Sequence, residues 1–395
     1  MTDTEKIVIL DGARTPIGSF GGVFKDAPGF ELGATASREA LGRAGVAAED
    51  IDEVVMGCIG QVGVDAYNAR RVAIAAGLPE SVAAYTVNRL CGSGLQAIWS
   101  AAMQMRWGGV DFALAGGDES MTRMPFYDFG ARAGYKLGDR KLVDGTVMML
   151  TDPFHGIHMG VTAENVAAKY GVSRERQDEF AVESQRRAAT EAARAAFAEE
   201  IVPVEVGGRR PFTVRDDEHP RPGTTLDTLA GLRPAFAESG TVTAGNASGI
   251  NDGGAAVVLA RESVARERGL TGLVSLESVT TAAMEPELMG YAPVLALKKL
   301  FAQTGTTPRD IDTVELNEAF ASQAVAVIRD AGLDPEKTNP YGGAIALGHP
   351  VGATGAILSL RVAKDLVRRD LELGIVTMCI GGGQALAALF RREPA

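Results

Sequence analysis

Cysteine and histidine are scarce in this chain, with three cysteines and four histidines among 395 residues. The cysteines show no C-x-x-C spacing and no close cluster with histidine, so neither a disulfide framework nor a zinc site is expected. No apolar run is long enough to span a bilayer, and the strand-like residues 7–10 come too early to follow a cleavable leader. These absences predict a protein of the reducing cytoplasm without a membrane span or a zinc site.

Positive charge is also in short supply, because the formal net charge is −11. This balance argues against general binding to nucleic acid or to an anionic membrane, although a local basic pocket for a phosphorylated ligand remains compatible with it. Hydrophobic residues make up 46% of the chain. At this length they can form a large buried core, and the length favours two to three domains.

Cys91 is the strongest candidate for chemistry. It lies in N-R-L-C-G-S-G, where a strand-like run meets a helix-like run over residues 94–105. The free N–H groups at a helix N-terminus favour thiolate over thiol, so we expect a lowered pKa and a nucleophile. The alternative is a small buried hydrophobe, but the small residues 92–94 clear space for a substrate. Cys58 has no such helix after it and is expected in the core or in a pocket wall.

The chain contains a similar unit twice. Residues 44–57 and 304–316 share a helix end, a glycine, the triplet Asp-Ile-Asp and a strand, with an offset of 260 between Ile51 and Ile311. The helix entry after Cys91, the strand before Gly116 and the opening strand recur in the same order at offsets of 261 to 266. Four landmarks in one order indicate a duplicated unit. Strands alternate with helices such as 31–43 and 294–303, which predicts layered α/β architecture with largely parallel connections.

The first unit carries a long insertion. It contains a predicted helix from about residue 163 to 197 and a polar stretch rich in proline and glycine over 207–223. Insertions of this kind usually supply a lid or a binding surface. We therefore predict an N-terminal half over 1–120 plus 250–269, an inserted loop domain over 121–249, and a C-terminal half over 270–395.

The second unit supplies the partners that Cys91 needs. His349 lies on a glycine-rich loop just before the helix that corresponds to the one after Cys91, so the duplication brings the imidazole toward the thiol; a structural histidine is the alternative. Cys379 ends a strand and enters the run Ile-Gly-Gly-Gly, where N–H groups are free to face a ligand. Asn317 stands where a strand gives way to a helix, and it is otherwise an N-cap. Two thiols, an imidazole and an amide around one pocket describe acyl transfer.

These residues carry a family resemblance that covers nearly the whole chain. N-R-L-C-G-S-G at Cys91, N-E-A-F at Asn317, G-G-A-I-A-L-G-H-P-V-G-A-T-G around His349 and C-I-G-G-G at Cys379 together resemble the signature motifs of the thiolases. So do A-R-T-P-I-G-S-F-G-G near the start, G-G-D-E-S-M after residue 115 and T-V-T-A-G-N-A-S-G-I-N-D-G after residue 240. The resemblance implies a duplicated, five-layered α-β-α-β-α fold with the loop domain inserted in its first half.

The resemblance also implies a two-step Claisen condensation and its reverse. Cys91 would carry the acyl group, His349 would activate it, and Cys379 would exchange the proton at the α-carbon. Asn317 would hold a water that forms one oxyanion hole with His349, while the N–H groups of Cys91 and Gly381 would form the other. Acyl-CoA and CoA would be substrates, so no separate cofactor is implied.

The family's CoA-binding positions fall largely on the insertion, and Arg221 would lie near the adenosine phosphate or the adenine. The alternative for His158 is a metal-binding pair with His155, but no third ligand is near in sequence. The matching positions are Leu150, His158, Met159, Arg221, Ala244, Ser248, Met289, Ala319 and Phe320.

Two subclasses of thiolase share features with this chain. The run H-M-G followed by T-A-E-N-V-A resembles the short-chain, biosynthetic acetoacetyl-CoA thiolases, and this subclass is favoured. The alternative is a degradative 3-oxoacyl-CoA or 3-oxoadipyl-CoA thiolase, because D-E-H-P-R-P and V-N-R-L-C-G-S-G resemble members acting on 3-oxoadipyl-CoA. Arg132, Lys136, Arg140 and Lys141 resemble the cationic tetramerisation loop of the biosynthetic type, so a dimer or a tetramer is expected. A ketoacyl synthase is disfavoured by Cys379, and a non-catalytic acyl-CoA or lipid carrier, or a metal-binding scaffold, by the presence of all four catalytic candidates.

Overall fold

A computed structural model describes residues 5–394. Strands and helices alternate along both halves of the chain. The strands are β1 Ile7–Arg14, β2 Gly18–Ser19, β3 Glu53–Gly57, β4 Ala83–Val87, β5 Phe112–Ser120, β6 Phe126–Tyr127, β7 Val143–Asp144, β8 Thr151–Asp152, β9 Ile157–His158, β10 Val204–Val206, β11 Phe212–Val214, β12 Asn251–Arg261, β13 Val274–Ala283, β14 Thr313–Leu316, β15 Leu373–Ile380 and β16 Gln384–Arg392. The α-helices are α1 Gly29–Ala44, α2 Asn68–Ala75, α3 Ser93–Trp107, α4 Gly145–Met149, α5 Met159–Tyr170, α6 Arg174–Ala188, α7 Glu191–Glu200, α8 Leu226–Ala230, α9 Glu262–Glu267, α10 Ala292–Thr304, α11 Ala321–Ala331, α12 Ala344–Leu347 and α13 Thr354–Arg368.

The helices predicted over 31–43, 94–105 and 294–303 are confirmed as α1, α3 and α10. The single long helix predicted over 163–197 is wrong, because this part of the insertion forms α5, α6 and α7 instead. Gly171 takes a left-handed conformation and ends α5, and the hydroxyl of Ser173 caps α6 by accepting a hydrogen bond from the N–H of Arg176. Thr190 caps α7 in the same way. Local capping therefore overrides a continuous apolar periodicity.

The main sheet has the order β14-β15-β16-β13-β1-β12-β5-β3-β4. The outer pairs β3 with β4, β3 with β5, and β14 with β15 are parallel, whereas the pairs between them are antiparallel. The expectation of largely parallel connections is therefore wrong for the centre of the sheet. The parallel neighbours are joined through helices, α2 and α3 among β3, β4 and β5, and α11 to α13 between β14 and β15. In contrast, β15 returns as β16 through the three-residue turn 381–383, which forces an antiparallel pair.

Buried side chains form five layers. Helices α1 and α2 cover the outer face of the first half of the sheet, and α10 and α11 cover the outer face of the second half. The largest cluster of buried side chains lies between the two halves and contains α3 and α13 with residues from both sets of strands. This arrangement confirms the predicted duplicated α-β-α-β-α fold, and it places the N-terminal ends of α3 and α13 next to each other.

Glycine permits close contact between these two central helices. A Cβ on Gly94 would lie 2.7 Å from the backbone nitrogen of Ala356, and one on Gly355 would lie 2.2 Å from the backbone nitrogen of Leu95. Both distances are too short for any side chain, so the helix backbones meet directly at their N-terminal turns. Cys91 and His349, which precede α3 and α13, are brought close together by this contact.

A buried ionic cluster attaches the insertion to the core. Glu200, at the end of α7, accepts a hydrogen bond from Nε of Arg14 at 2.8 Å and one from Nε of Arg361 at 3.2 Å, and all three side chains are almost fully buried. Arg14 also contacts Asp217 at 2.7 Å. Because burying unpaired charges is costly, this cluster holds the insertion in one position against β1 and α13.

In the described part of the chain, no helix combines the length and apolarity that crossing a bilayer requires.

Candidate active site

A largely apolar pocket of about 500 Å³ opens between the insertion and the two halves. Cys91, His349 and Cys379 all line it, so the structure brings together three residues that are far apart in sequence. Asn317 and Gly381 contact these residues, as described below. The nine predicted CoA-binding positions line the same pocket, namely Leu150, His158, Met159, Arg221, Ala244, Ser248, Met289, Ala319 and Phe320.

Cys91 sits in a tight turn between β4 and α3. The hydroxyl of Ser93 accepts the N–H of Arg89 at 2.9 Å and donates to the carbonyl of Leu90 at 2.6 Å, and Leu90 has a positive φ of 48°. A non-glycine residue in this conformation is strained. The hydrogen bonds from Ser93 hold the turn closed, which explains why a small hydroxyl residue follows the cysteine here.

Burial raises the pKa of Cys91 to about 11, although the N–H groups of Gly381 and of Cys91 itself hydrogen-bond to the sulfur and act in the opposite direction. The expectation of a lowered pKa for Cys91 is therefore wrong. Helix α3 begins at Ser93, two residues beyond the sulfur, and desolvation outweighs the helix N-terminus. The resting group is a neutral thiol.

His349 is held by both ends of its ring. Nδ1 lies 2.6 Å from the hydroxyl of Thr354, and that hydroxyl donates to the carbonyl of Pro350 at 2.9 Å. A hydroxyl that already donates must accept from the ring, so Nδ1 carries the proton and Nε2 has a free lone pair. Nε2 lies 3.4 Å from Nδ2 of Asn317. Burial lowers the pKa of His349 to about 4, so the ring is a neutral base at pH 7.

Cys379 lies at the end of β15, next to the glycine turn 381–383. It is fully buried in an apolar cluster with Met289, Ala319 and Phe320. Burial, with a smaller contribution from Cys91, raises the pKa of Cys379 far above that of an ordinary thiol. The second thiol is therefore a weak acid in the resting protein, suited to giving up its proton only when a strong base forms beside it.

The wall beyond Cys379 is aromatic. Phe236 stacks on His158 with ring centroids 4.9 Å apart and meets the edge of Phe320 at 6.2 Å. Nδ1 of His158 accepts the N–H of Gly160 at 3.0 Å and caps α5. Nδ1 of His158 is therefore already hydrogen-bonded to the backbone. Among residues 5–394, no group of three or more side chains suited to a metal ion occurs. Cys58 lies outside this pocket, where it contacts Glu119 at 3.7 Å.

Sequence reasoning did not identify several residues of the site. Asn251 and Thr354 hold His349 from behind, while His219, Phe236 and Met121 line the pocket. Asn251 and Thr354 lie within motifs that carry the resemblance, which was the only available signal for them. Nothing in the local pattern around Phe236 indicates that it faces a ligand.

Comparison with known protein families and structures agrees with this geometry. The family described as Thiolase, N-terminal domain matches residues 7–263, and Thiolase, C-terminal domain matches residues 270–392. The acetyl-CoA acetyltransferase of Bacillus anthracis superposes with a TM-score of 0.97 at 41% identity, over 99% of each chain. Human mitochondrial 3-ketoacyl-CoA thiolase superposes with a TM-score of 0.96 at 39% identity, over 99% of this chain and all of the other. Fold and pocket together define an acyltransferase.

Curated relatives lead to the same class. The beta-ketothiolase BktB of Cupriavidus necator is 49% identical over 98% of this chain and the whole of that protein. The acetyl-CoA acetyltransferase of Escherichia coli is 46% identical over 98% of both. The chain belongs to the thiolase family.

Proposed function

We propose that this protein is an acetyl-CoA C-acetyltransferase, which condenses two molecules of acetyl-CoA reversibly to acetoacetyl-CoA and CoA. The observation that carries the proposal is the meeting of Cys91, His349 and Cys379 in one apolar pocket with two N–H groups directed at the Cys91 sulfur. The relatives named acetyl-CoA acetyltransferase support the choice of substrate. CoA and acyl-CoA are substrates here, and no metal or separate cofactor takes part.

The first step forms acetyl-Cys91. The sulfur attacks the thioester carbonyl while Nε2 of His349 takes the thiol proton, and the N–H groups of Cys91 and Gly381 stabilise the negative oxygen. The carbon–sulfur bond to CoA then breaks, and the leaving thiolate takes a proton from Cys379. The products are acetyl-Cys91, CoA, a protonated His349 and a Cys379 thiolate.

The second step forms the new carbon–carbon bond. The Cys379 thiolate removes a proton from the methyl group of a second acetyl-CoA, and the enolate oxygen is stabilised by protonated His349 together with a water held by Asn317. The enolate carbon attacks the carbonyl of acetyl-Cys91 and releases the Cys91 thiolate. That thiolate recovers the proton from His349, so both thiols and the imidazole return to their starting states.

The lining of the pocket favours an uncharged acyl group. Arg221 is the only lysine or arginine among the lining residues, which all belong to the described part of the chain. With Arg221 assigned to the adenosine end of CoA, the terminal carboxylate of a 3-oxoadipyl group would be buried without a cation, which is costly. Acetoacetyl-CoA therefore fits better than 3-oxoadipyl-CoA, and a comparison of thiolysis rates on the two substrates and on longer 3-oxoacyl-CoAs tests this choice.

We also propose a homo-oligomer, a dimer or a dimer of dimers, in the cytoplasm. The segment 126–142 exposes several large apolar side chains, an arrangement that is uncommon on a monomer. These apolar side chains are interspersed with the cationic residues predicted to form a tetramerisation loop. The segment contains Phe126, Phe129, Leu137 and Leu142, together with Arg132, Lys136, Arg140 and Lys141. All three cysteines are free thiols, which suits a reducing compartment.

Peptide mass spectrometry after incubation with acetyl-CoA and an acid quench tests the intermediate. We expect an acetyl group on Cys91 and none in a Cys91→Ser control. Folded protein with an unmodified Cys91 would contradict the mechanism.

Replacing Cys379 with alanine separates the two steps. Exchange of acetyl groups between CoA thiols should survive far better than condensation, because the CoA thiolate released in the first step can also take its proton from water. Equal loss of both activities would refute the division of roles.

A further inference from the structure

Asn251, the first residue of β12, lies directly behind the catalytic loop and is fully buried. Its side-chain oxygen Oδ1 accepts the backbone N–H of His349 at 2.9 Å. Its side-chain nitrogen Nδ2 donates to the carbonyl of Gly18 at 3.0 Å. One amide therefore connects the first half of the protein to the backbone of a catalytic residue in the second half.

These two contacts fix the orientation of the amide. An N–H donor faces one side of Asn251 and a carbonyl acceptor faces the other, so only a group with both an acceptor and a donor satisfies the pair. A carboxylate would oppose the carbonyl of Gly18, and an apolar side chain would leave the N–H of His349 buried without a partner. The chemistry of the position thus requires an amide.

His219 extends the network to the insertion. Its Nδ1 lies 3.4 Å from Nδ2 of Asn251, and the ring also hydrogen-bonds to the backbone of Ile345 in α12, four residues before His349. His219 is two residues from Arg221 in the same segment of the insertion. The loop that bears the imidazole is therefore held by a residue close to a CoA-binding candidate.

Gly348 shows how closely Asn251 fits this loop. The glycine has a φ of 101°, and a Cβ there would lie 2.6 Å from Cγ of Asn251 and 2.7 Å from both polar atoms of its amide. The side chain of Asn251 therefore fills the space beside the backbone immediately before His349. A smaller residue at position 251 would leave that backbone free to move away from the pocket.

We propose that Asn251 is a positioning residue for the acyl-transfer reaction: it fixes the backbone of His349 and, through His219, joins it to the insertion segment that carries Arg221. The inference rests on the proposed function, because it concerns the base of that reaction. Thr354 holds the ring and Asn251 holds the backbone, so both are needed to keep Nε2 directed into the pocket that Cys91 also lines. A misplacement of about 1 Å in such a site lowers rates by about a hundredfold.

Asn251→Ala tests the proposal, with Asn246→Ala as a matched control. Asn246 is five residues earlier, equally buried, and hydrogen-bonded through its side chain to Thr243, Asp178 and Thr241 rather than to His349. We expect both variants to lose similar thermal stability. In acetoacetyl-CoA thiolysis, Asn251→Ala should lower kcat by about tenfold to a hundredfold with a change in KM below about threefold, and it should slow single-turnover acetylation of Cys91 as much. The control should lower kcat per folded molecule by less than about threefold.

The outcomes separate this inference from the proposed function. A wild-type protein that does not cleave acetoacetyl-CoA overturns the function itself. An active wild type in which Asn251→Ala loses no more kcat than Asn246→Ala overturns the positioning role alone. If Asn251→Ala does not fold, the kcat of His219→Phe tests the network instead. This variant is expected to fold, because His219 is partly exposed and its loss leaves the core intact. A kcat reduced by about threefold to tenfold in that variant supports the network, and an unchanged kcat overturns it.

Discussion

Alkylation of Cys91 gives a direct measure of its resting state. With the pKa of the thiol raised to about 11 by burial, the thiolate makes up only about one part in ten thousand at pH 7. Iodoacetamide reacts with the thiolate rather than with the thiol. We therefore expect the rate at Cys91 to rise about tenfold for each pH unit between pH 6.5 and 9.5, without a plateau.

The same pKa values determine how the proton moves. His349 has a pKa of about 4, and Cys91 has one of about 11. Burial thus opposes both charged forms, the thiolate of Cys91 and the imidazolium of His349, so transferring the proton between them before any bond forms is unfavourable. We therefore expect the proton to move as the sulfur attacks, without a preformed thiolate–imidazolium pair.

The assay follows the Cys91 peptide by mass spectrometry after timed alkylation, which separates this thiol from the other two. A short unstructured peptide with one internal cysteine serves as the reference in the same tube and should react about three hundred times faster at pH 7, since the pKa of such a thiol is about 8.5. His349→Asn should leave the alkylation rate nearly unchanged. A plateau below pH 8 that disappears in His349→Asn would refute the reasoning, because it would show a preformed ion pair.

Three further predictions concern buried polar groups. Burial raises the pKa of Asp118 to about 8, so the folded protein holds a proton that the unfolded chain releases near pH 4, and stability falls as pH rises between these values. In urea titrations from pH 5 to 8, the unfolding free energy of Asp118→Asn should therefore rise relative to that of the wild type by up to about 1.4 kcal/mol per pH unit. A difference in unfolding free energy that does not change with pH would contradict this. Thr354→Val removes the acceptor for Nδ1 of His349 and should lower kcat in acetoacetyl-CoA thiolysis by about tenfold to a hundredfold with little change in KM; a normal kcat would show that the ring needs no such partner. Glu200→Gln leaves two buried arginines without their shared carboxylate and should cost about 3–5 kcal/mol of unfolding free energy, whereas a loss below about 1 kcal/mol would show that the cluster is not structural.

The sequence predicts chemistry better than it predicts environment. Cys91 and His349 could be predicted to share a pocket because each precedes a helix at corresponding positions of the duplication, and Cys379 because it ends a strand before a glycine-rich turn. The direction of the Cys91 pKa shift could not, because it depends on how much protein surrounds the sulfur. Asn251 was missed for a similar reason: its contacts reach Gly18 and His349, which lie 233 and 98 positions away along the chain.

Elements were predictable where a pattern is local and unbroken, as in α1, α3 and α10. The helix over 163–197 failed because two caps interrupt an otherwise continuous apolar repeat. Strand direction failed because a strand's partner is chosen by the whole sheet. The domain limits of 1–120 with 250–269, 121–249 and 270–395 stay a prediction.

The direct contact between α3 and α13 limits how this enzyme can change during evolution. With Gly94 and Gly355 set against the opposite helix backbone, the helix crossing that positions Cys91 and His349 cannot accept even one additional methyl group. New substrates must therefore be accommodated by the walls that the insertion contributes. Lineages that acquire a preference for longer or branched acyl groups are expected to differ in the segments around Met159 and Phe236, while the crossing beneath them stays the same.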